Sequence, residues 1–394
     1  MENEPILLKN GKIFTPFRIL DESCILLENG VISKIGKDIK DIPQGTNVID
    51  VQNCIIAPGF IDIHLHGGGG SDTMDATYDA LNIISKTHAQ GGSTAIIPST
   101  LAAPIDDMIG AIVTVKEAMK RCVEGSKILG IHLEGPYVSR EQKGAFDERY
   151  IRNASAQEVE RILKYVDVIK NITAAPEIEG GLELGRTFSS KGVLMSIGHS
   201  NATIYDVAKA IEAGYTHVTH LYSACSIVRR IRAYRYPGVV EAAYLFDELT
   251  TEIIADGKHL PPELIRLVIK NKGVDKVNIV TDAMRAAGLP PGKYMLGDME
   301  VIVEEGVAFL PDRTAFAGSV TRMNEMIKVL VGQVGLSIQE AIKMATVNPA
   351  KMIGVYNRKG SLIEGKDADV TVLNREFDVV LTIVEGKIVF SRLH

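Results

Sequence analysis

The sequence predicts an α/β protein: a (β/α)8 barrel of the TIM type with a small β-sandwich domain built from both chain ends. Between residues 58 and 282, short apolar segments alternate with amphipathic segments, and the pair repeats eight times. On either side, short apolar runs alternate with turns such as Asn10-Gly11 and Asn29-Gly30. A doubly wound sheet is less favoured, because no glycine-rich dinucleotide loop follows the first strand.

The predicted elements divide the chain into two units. Residues 1–57 and 355–394 are expected to form the β-sandwich, and residues 58–354 the barrel. The predicted barrel strands are 60–66, 93–98, 127–134, 171–177, 193–199, 216–221, 250–256 and 276–282. Helices are predicted over 79–90, 105–122, 155–170, 203–213 and 262–270.

Composition excludes several classes of protein. The 394 residues carry a net charge of −6, so no basic field is available for nucleic acid or for an anionic membrane. No apolar run reaches the roughly 18 residues of a membrane-spanning helix, and the acidic N-terminus lacks the pattern of a signal peptide. The four cysteines are scattered, which favours buried free thiols and a cytoplasmic location: Cys24, Cys54, Cys122 and Cys225.

Histidines and carboxylates cluster at the predicted strand ends, the face where barrel enzymes place their active sites. Side chains two residues apart on a strand share a face, so His64 and His66 are expected to point together into the barrel, as are His132 and Glu134. His199, His220 and Asp282 end later strands. Any one of them could be an ordinary hydrogen-bonded residue. Their convergence on one axis instead predicts a site for Zn²⁺, Fe²⁺ or a similar divalent cation, as in metal-dependent hydrolases.

These residues also carry a resemblance to a known family. The stretch Pro58-Gly59-Phe60-Ile61-Asp62-Ile63-His64-Leu65-His66-Gly67 resembles the first-strand signature of the amidohydrolase superfamily. Further motifs are similar to those of the N-acetylglucosamine-6-phosphate deacetylase family: His132-Leu133-Glu134-Gly135-Pro136, Ile197-Gly198-His199-Ser200, Thr219-His220-Leu221-Tyr222, Ile254-Ala255-Asp256-Gly257-Lys258-His259 and Val280-Thr281-Asp282-Ala283. The resemblance covers nearly the whole chain.

The resemblance implies roles for the clustered residues. Glu134, His199 and His220 would be the principal metal ligands, and Asp282 the general acid/base for hydrolysis of an acetamide. Some family members lack histidines on the first strand and hold one ion. Because His64 and His66 are both present here, we expect a second ion, with Glu134 bridging the two sites.

The resemblance also implies a phosphorylated N-acetyl amino sugar as substrate. Arg235 matches the family's phosphate-binding arginine, which reaches into the neighbouring subunit of a homodimer, and a guanidinium suits a phosphate monoester. The remaining residues expected to contact substrate are Ala145, Ser223, Ala224, His259, Phe316, Ala317 and Gly318.

Two features depart from the family pattern. Phe146 follows Lys143-Gly144-Ala145, where the family usually has a histidine that polarises the substrate carbonyl. We expect the second ion to take over that role. The path from His220 to Arg235 is also longer than usual, and it carries three further arginines whose place at the phosphate or at a subunit contact stays open: Arg229, Arg230 and Arg232.

Two other functions remain possible at the level of sequence. One is another hydrolase on the same barrel: a cyclic-amide hydrolase, a deaminase or a deacetylase of a different N-acetyl sugar. Many relatives use a lysine on the fourth strand, and none is found there. The other is a barrel without catalysis that acts as an assembly protein. Such a protein would be expected to have lost metal ligands, and all five are present: His64, His66, Glu134, His199 and His220.

Overall fold

A computed structural model describes residues 4–15 and 18–393 of the chain. Eight parallel barrel strands follow the predicted order, the third of them in two pieces. Their bounds are Phe60–Leu65, Ser93–Pro98, Lys127–Ile128 with Ile131–Glu134, Ile169–Ala174, Leu194–Ile197, Tyr215–Val218, Thr250–Ile253 and Val277–Ile279. The predicted fold class is therefore confirmed.

Backbone hydrogen bonds close the barrel between its first and last strands. The N–H of Asp282 donates to the carbonyl of His64 at 2.8 Å, and the N–H of His66 donates to the carbonyl of Ala283 at 2.8 Å. A bridge between Ser99 and His132 joins the second strand to the third. The closure places the ends of the first and last strands side by side, which brings distant parts of the sequence to one site.

Several barrel strands end two or three residues earlier than predicted. As a result His199, His220 and Asp282 lie just beyond their strands, with φ values of 47°, 28° and 45°. A non-glycine residue at positive φ is uncommon and costs conformational energy, and such residues concentrate at functional sites. The sharp turn of the backbone at these positions directs the three side chains over the barrel mouth.

Helices cover the outside of the barrel. They span Tyr78–Ala89, Ile105–Arg121, Ala156–Leu163, Gly181–Ser189, Ile204–Glu212, Val239–Leu245, Pro262–Lys272, Met323–Val329, Ile338–Ala345 and Val347–Met352. Side-chain caps begin several of them; the hydroxyl of Ser155, for example, accepts from the N–H of Glu158 at 3.2 Å. The predicted helix over 155–170 is wrong in its second half: the helix ends at Leu163, turns follow, and Ile169–Ala174 pairs with the third barrel strand.

The remaining strands of the two chain ends form one sheet. It contains Ile6–Phe14, Ile19–Glu28, Val31–Gly36, Asn47–Asp50, Ile55–Pro58, Val370–Leu373, Val379–Val384 and Lys387–Ser391. The chain ends meet where Thr371 lies opposite Ala57 in an antiparallel pair. The N–H of Ile32 donates to the carbonyl of Lys366, and the N–H of Gly365 donates to the carbonyl of Ile32. These bonds bring one edge back toward Val370, so the sheet curls around its own apolar core. Both layers of the predicted sandwich thus belong to one continuous sheet.

The β-unit is fastened to the barrel by side chains from its C-terminal strands. The hydroxyl of Thr371 donates to the carbonyl of Gly92 at 2.6 Å, and that of Thr382 to the carbonyl of Ala89 at 2.8 Å. The predicted boundary between the β-sandwich and the barrel, after residue 57, falls inside the strand Ile55–Pro58. The division of the chain into two units at residues 57 and 355 stays a prediction. Residues 1–3, 16, 17 and 394 of the predicted β-unit lie outside the described residues.

Several small elements lie around the barrel mouth, and they were not predicted from the sequence. They are the hairpins Gly67–Gly68 with Ser71–Asp72 and Arg229–Ile231 with Tyr234–Tyr236, and the sheet Gly292–Leu296, Met299–Glu304 and Val307–Phe309.

Of the cysteines, only Cys225 is buried and Cys122 is exposed, so the expectation of four buried thiols is wrong. Among the described residues, we find no helix of the length and apolar character that a membrane crossing requires.

A buried ion cluster holds the C-terminal segment of the β-unit. The side chain of Lys359 is 4% exposed, and its Nζ lies 2.7 Å from Asp369, 2.8 Å from Asp367 and 3.4 Å from Glu385. Glu385 in turn lies 3.1 Å from Lys127 of the third barrel strand. Burial of these charges is tolerated only while they remain paired.

We predict that Lys359→Met lowers the free energy of unfolding by about 3–5 kcal/mol, because it leaves buried carboxylates without their counter-ion. Urea denaturation measures the change. The matched control is Arg358→Met: this arginine also pairs with Asp367, but its side chain is 65% exposed, so a loss of about 0–1 kcal/mol is expected. Equal effects of the two substitutions would contradict the buried-cluster interpretation.

Close packing inside the barrel explains the glycine before His199. A Cβ atom at Gly198 would lie 2.6 Å from Cγ2 of Thr173, on the fourth barrel strand, and 2.7 Å from Cβ of Thr219, just after the sixth. Neither atom is the end of a flexible side chain. Gly198 therefore lets the backbone that carries His199 approach its neighbours.

We predict that Gly198→Ala destabilises the protein by about 1–3 kcal/mol through overpacking. Urea denaturation again measures the effect. Gly36→Ala is the control, because a Cβ atom there meets nothing within 4 Å, and its midpoint should stay at that of the parent protein. An unchanged midpoint for Gly198→Ala would show that the barrel accommodates the methyl group.

Candidate metal centre and active site

The carboxylate of Glu134 lies at the centre of four imidazole rings. Its Oε1 is 3.1 Å from Nε2 of His199 and 3.0 Å from Nε2 of His220. Its Oε2 is 3.0 Å from Nε2 of His66 and 3.3 Å from Nε2 of His64. Each oxygen thus faces one pair of histidines, and the structure brings all five predicted ligands together.

Asp282 lies beside the first-strand pair of histidines. Its Oδ1 is 3.2 Å from Nε2 of His66 and 3.5 Å from Nε2 of His64. The residue is 8% exposed and lies at the wall of the cleft described below, so one side of the carboxylate can reach a substrate.

The donor set fits divalent cations. Two groups bring their ligand atoms within 4.8 Å of one another: His64, His66 and Glu134, and Glu134, His199 and His220. Nε2 of His64 is buried and makes no hydrogen bond to any described residue. Nε2 of His199 and Nε2 of His220 lie only 3.2 Å apart and face the same carboxylate oxygen. Imidazole nitrogens that converge with a carboxylate in this way are typical ligands of Zn²⁺ or Fe²⁺.

Electrostatics of the site favour positive charge between the ligands. Burial alone would raise the pKa of Glu134, but the surrounding imidazoles, His64 foremost, hold it well below its usual value. Burial alone would lower the pKa of His66, but Asp282 and Glu134 raise it to about 9. The carboxylates therefore stabilise positive charge at this position, whether protons or a cation carry it.

A cleft of about 190 Å³ opens over the cluster. Six of the residues predicted to bind substrate line it: Ala145, Ser223, Ala224, His259, Phe316 and Gly318. Ala317, between Phe316 and Gly318, is fully buried in an apolar cluster, so its predicted contact with substrate stays a prediction. Arg235 is exposed on the hairpin strand Tyr234–Tyr236, where its guanidinium donates to the carbonyl of Ala233, outside this chain's own cleft.

Phe146 forms part of the apolar wall of the cleft. Its ring packs on that of His199 with centroids 4.3 Å apart, and Leu101 and Leu296 also line the cleft. Nδ1 of His199 lies 2.9 Å from the carbonyl of Gln142, an acceptor that leaves Nε2 directed at Glu134. The residue that departs from the family pattern thus supports a predicted ligand from the side.

Asp256 holds His259 in place, a role that the sequence analysis did not assign. Its Oδ2 lies 2.7 Å from Nδ1 of His259, while Oδ1 accepts from the backbone N–H groups of Lys258 and His259 at 2.8 Å each. The ring also packs against Phe316 with centroids 4.7 Å apart. A fixed ring presents its other nitrogen to the cleft.

A second layer of polar residues lies below the predicted ligands, inside the barrel. His132 is fully buried between the hydroxyls of Ser99 and Thr173, at 2.9 and 2.7 Å, and it does not reach the cation positions. Glu252 and His217 are also fully buried here, and neither was predicted from the sequence. The available signal was a glutamate and a histidine inside short buried strands, where apolar residues are expected.

Comparison with known proteins agrees with the geometry. The amidohydrolase family model matches residues 55–389. An N-acetylglucosamine-6-phosphate deacetylase of Bacillus subtilis is 34% identical, with 98% of each chain covered. An N-acetylgalactosamine-6-phosphate deacetylase of Escherichia coli is 31% identical, covering 97% of this chain and 98% of the other.

A solved structure gives the same result in three dimensions. The crystal structure of N-acetylglucosamine-6-phosphate deacetylase from Pasteurella multocida is 34% identical and superposes with a TM-score of 0.91, over 98% of this chain and 99% of that one. With a buried histidine and carboxylate cluster at the mouth of a barrel, and with this agreement over nearly its full length, the chain belongs to the amidohydrolase family.

Proposed function

We propose that the protein hydrolyses the acetamide of N-acetylglucosamine 6-phosphate to glucosamine 6-phosphate and acetate. The observation that carries the proposal is Glu134 with four imidazole nitrogens within 3.3 Å, next to Asp282, where both carboxylates line one cleft. The similarity to sugar-phosphate deacetylases supports the substrate class.

We further propose that two divalent ions, Zn²⁺ or Fe²⁺, bind on either side of Glu134. His199 and His220 would hold one of them, and His64 and His66 the other, with Glu134 contributing an oxygen to each. Bound at these positions, such ions supply Lewis acidity to the substrate carbonyl and make water a competent nucleophile near neutral pH.

Asp282 is proposed to move the protons of the reaction. Its carboxylate takes a proton from the attacking water and delivers it to the departing amine nitrogen, so that a poor leaving group departs as a neutral amine. His259, fixed by Asp256, and the backbone around Ala145 and Gly318 would orient the sugar. Phe146 and Leu101 exclude water from the side of the cleft that they line.

Recognition of the phosphate is proposed to come from Arg235 of a second subunit in a homodimer. Two observations support this arrangement: Arg235 lies outside its own cleft, and its hairpin exposes apolar side chains, with Ile231 49% and Tyr234 70% exposed. Exposed apolar residues next to arginines are typical of protein interfaces.

We also propose a cytoplasmic location, where sugar phosphates are retained.

A second candidate substrate is N-acetylgalactosamine 6-phosphate, because a relative that covers the same length is named for it. The two sugars differ only in the configuration at C4. The reaction and the roles of the predicted ligands would be unchanged, and only the contacts to that hydroxyl would differ.

We predict that Asp282→Asn lowers kcat by about 100-fold to 10,000-fold, because the amide cannot accept the proton. Both ions should stay bound, as measured by elemental analysis alongside acetate release. Asp247→Asn, at an exposed ion pair remote from the cleft, is the control and should keep full activity. Retained activity in Asp282→Asn would show that another group is the base.

We predict rapid acetate release from N-acetylglucosamine 6-phosphate and little from N-acetylglucosamine, and loss of both after dialysis against a chelator. Arg235→Ala should lower kcat/KM for the phosphorylated sugar about 10-fold or more, since a hydrogen bond to a charged group contributes roughly 1.5–3 kcal/mol. Comparable turnover of the two sugars would contradict phosphate recognition, and activity that survives the chelator would contradict the metal-dependent reaction.

A further inference from the structure

We propose that Glu252 is a positioning residue for the metal site: it sets the orientation and the tautomer of His64 and thereby holds the ion at His64, His66 and Glu134. The inference rests on the second ion of the proposed function. It concerns the seventh barrel strand, which supplies no predicted ligand.

The contact between the two residues is short and fully buried. Oε1 of Glu252 lies 2.6 Å from Nδ1 of His64, and neither side chain is exposed to solvent. On the other side of the ring, Nε2 of His64 faces Oε2 of Glu134. One imidazole therefore spans the distance between a carboxylate below and the candidate cation position above.

The chemistry of the pair fixes which nitrogen of His64 can bind a cation. A carboxylate oxygen can only accept a hydrogen bond, so the proton of a neutral imidazole must lie on Nδ1. Nε2 is then left with a free lone pair, directed at the site. Such a partner also makes the imidazole a stronger ligand, and its loss commonly weakens metal binding about 10-fold to 100-fold.

Glu252 is itself held by a residue of the sixth barrel strand, Tyr215–Val218. Its Oε2 lies 3.2 Å from Nε2 of His217, whose Nδ1 lies 2.8 Å from the hydroxyl of Thr250. Oε1 also accepts from the backbone N–H of His220 at 3.3 Å. With both oxygens engaged, the carboxylate cannot rotate away from His64.

The arrangement predicts an asymmetric effect on the two ions. Nδ1 of His199 donates its outer hydrogen bond to the carbonyl of Gln142 rather than to Glu252. Glu252 meets His220 only at the backbone N–H, 3.3 Å away, and not at the ring that faces Glu134. The ion held by Glu134, His199 and His220 should therefore keep its affinity when Glu252 is replaced. A glutamate that only stabilises the barrel would weaken both ions together, or neither.

The test is a double-mutant cycle on zinc affinity. Metal-free protein is titrated with Zn²⁺ in a chelator-buffered solution, for the parent, Glu252→Gln, His64→Ala and the double variant. The parent should bind two ions; Glu252→Gln should bind one unchanged and the other about 10-fold to 100-fold more weakly. In the His64→Ala background, which should keep one ion, Glu252→Gln should change nothing further.

One control and one substitute variant separate positioning from general damage. Asn171→Ala removes another fully buried side chain of the barrel interior, one that bonds Ser196 at 2.6 Å, and should leave both zinc affinities unchanged. If Glu252→Gln does not fold, His217→Gln releases the same carboxylate from its far side and should weaken the same ion several-fold.

Each remaining outcome overturns the proposal in a distinct way. Two parent-like affinities in Glu252→Gln, or a further loss in the His64→Ala background, would show that Glu252 does not act through His64. A parent protein that binds a single ion would refute the second site on which the inference rests. Acetate release measured on the same parent sample shows separately whether the proposed hydrolysis itself holds.

Discussion

The site depends on one buried carboxylate. Glu134 is 2% exposed and has four imidazole nitrogens within 3.3 Å, so its charge is compensated by positive charge rather than by water. A buried carboxylate without such compensation would be strongly unfavourable. The negative charge of Glu134 favours a cation, and the converging imidazole nitrogens could hold one.

The barrel meets this constraint with two layers of polar side chains. The upper layer holds the predicted ligands, and three of its members, His199, His220 and Asp282, lie at positive φ just past their strands. The lower layer, which includes Glu252 and His217, fills the barrel interior with hydrogen bonds where apolar side chains are usual. The lower layer is fully buried, so the rings above it rest on a rigid support.

The sequence predicted the site best where residues able to bind a metal recur at the two-residue spacing of a β-strand. His64 and His66 lie two apart on an apolar strand, and that spacing alone predicted a shared inward face. The roles of Glu134, His199 and His220 came from the family resemblance, and their convergence from the eightfold alternation of strands and helices. Phe146 was predictable as a departure, but its packing on His199 was not, because ring contacts depend on the path of the intervening loop.

The sequence by itself determined the fold class and the candidate ligands, because hydrophobic periodicity and residue chemistry are local properties, and its resemblance to a known family implied the reaction type. Only the tertiary structure decided which side chains support them. His64 and Glu252 are 188 residues apart, and no local pattern joins them. The exclusion of Arg235 from its own cleft, the burial of Ala317 and the early ends of the barrel strands were likewise set by packing between distant segments.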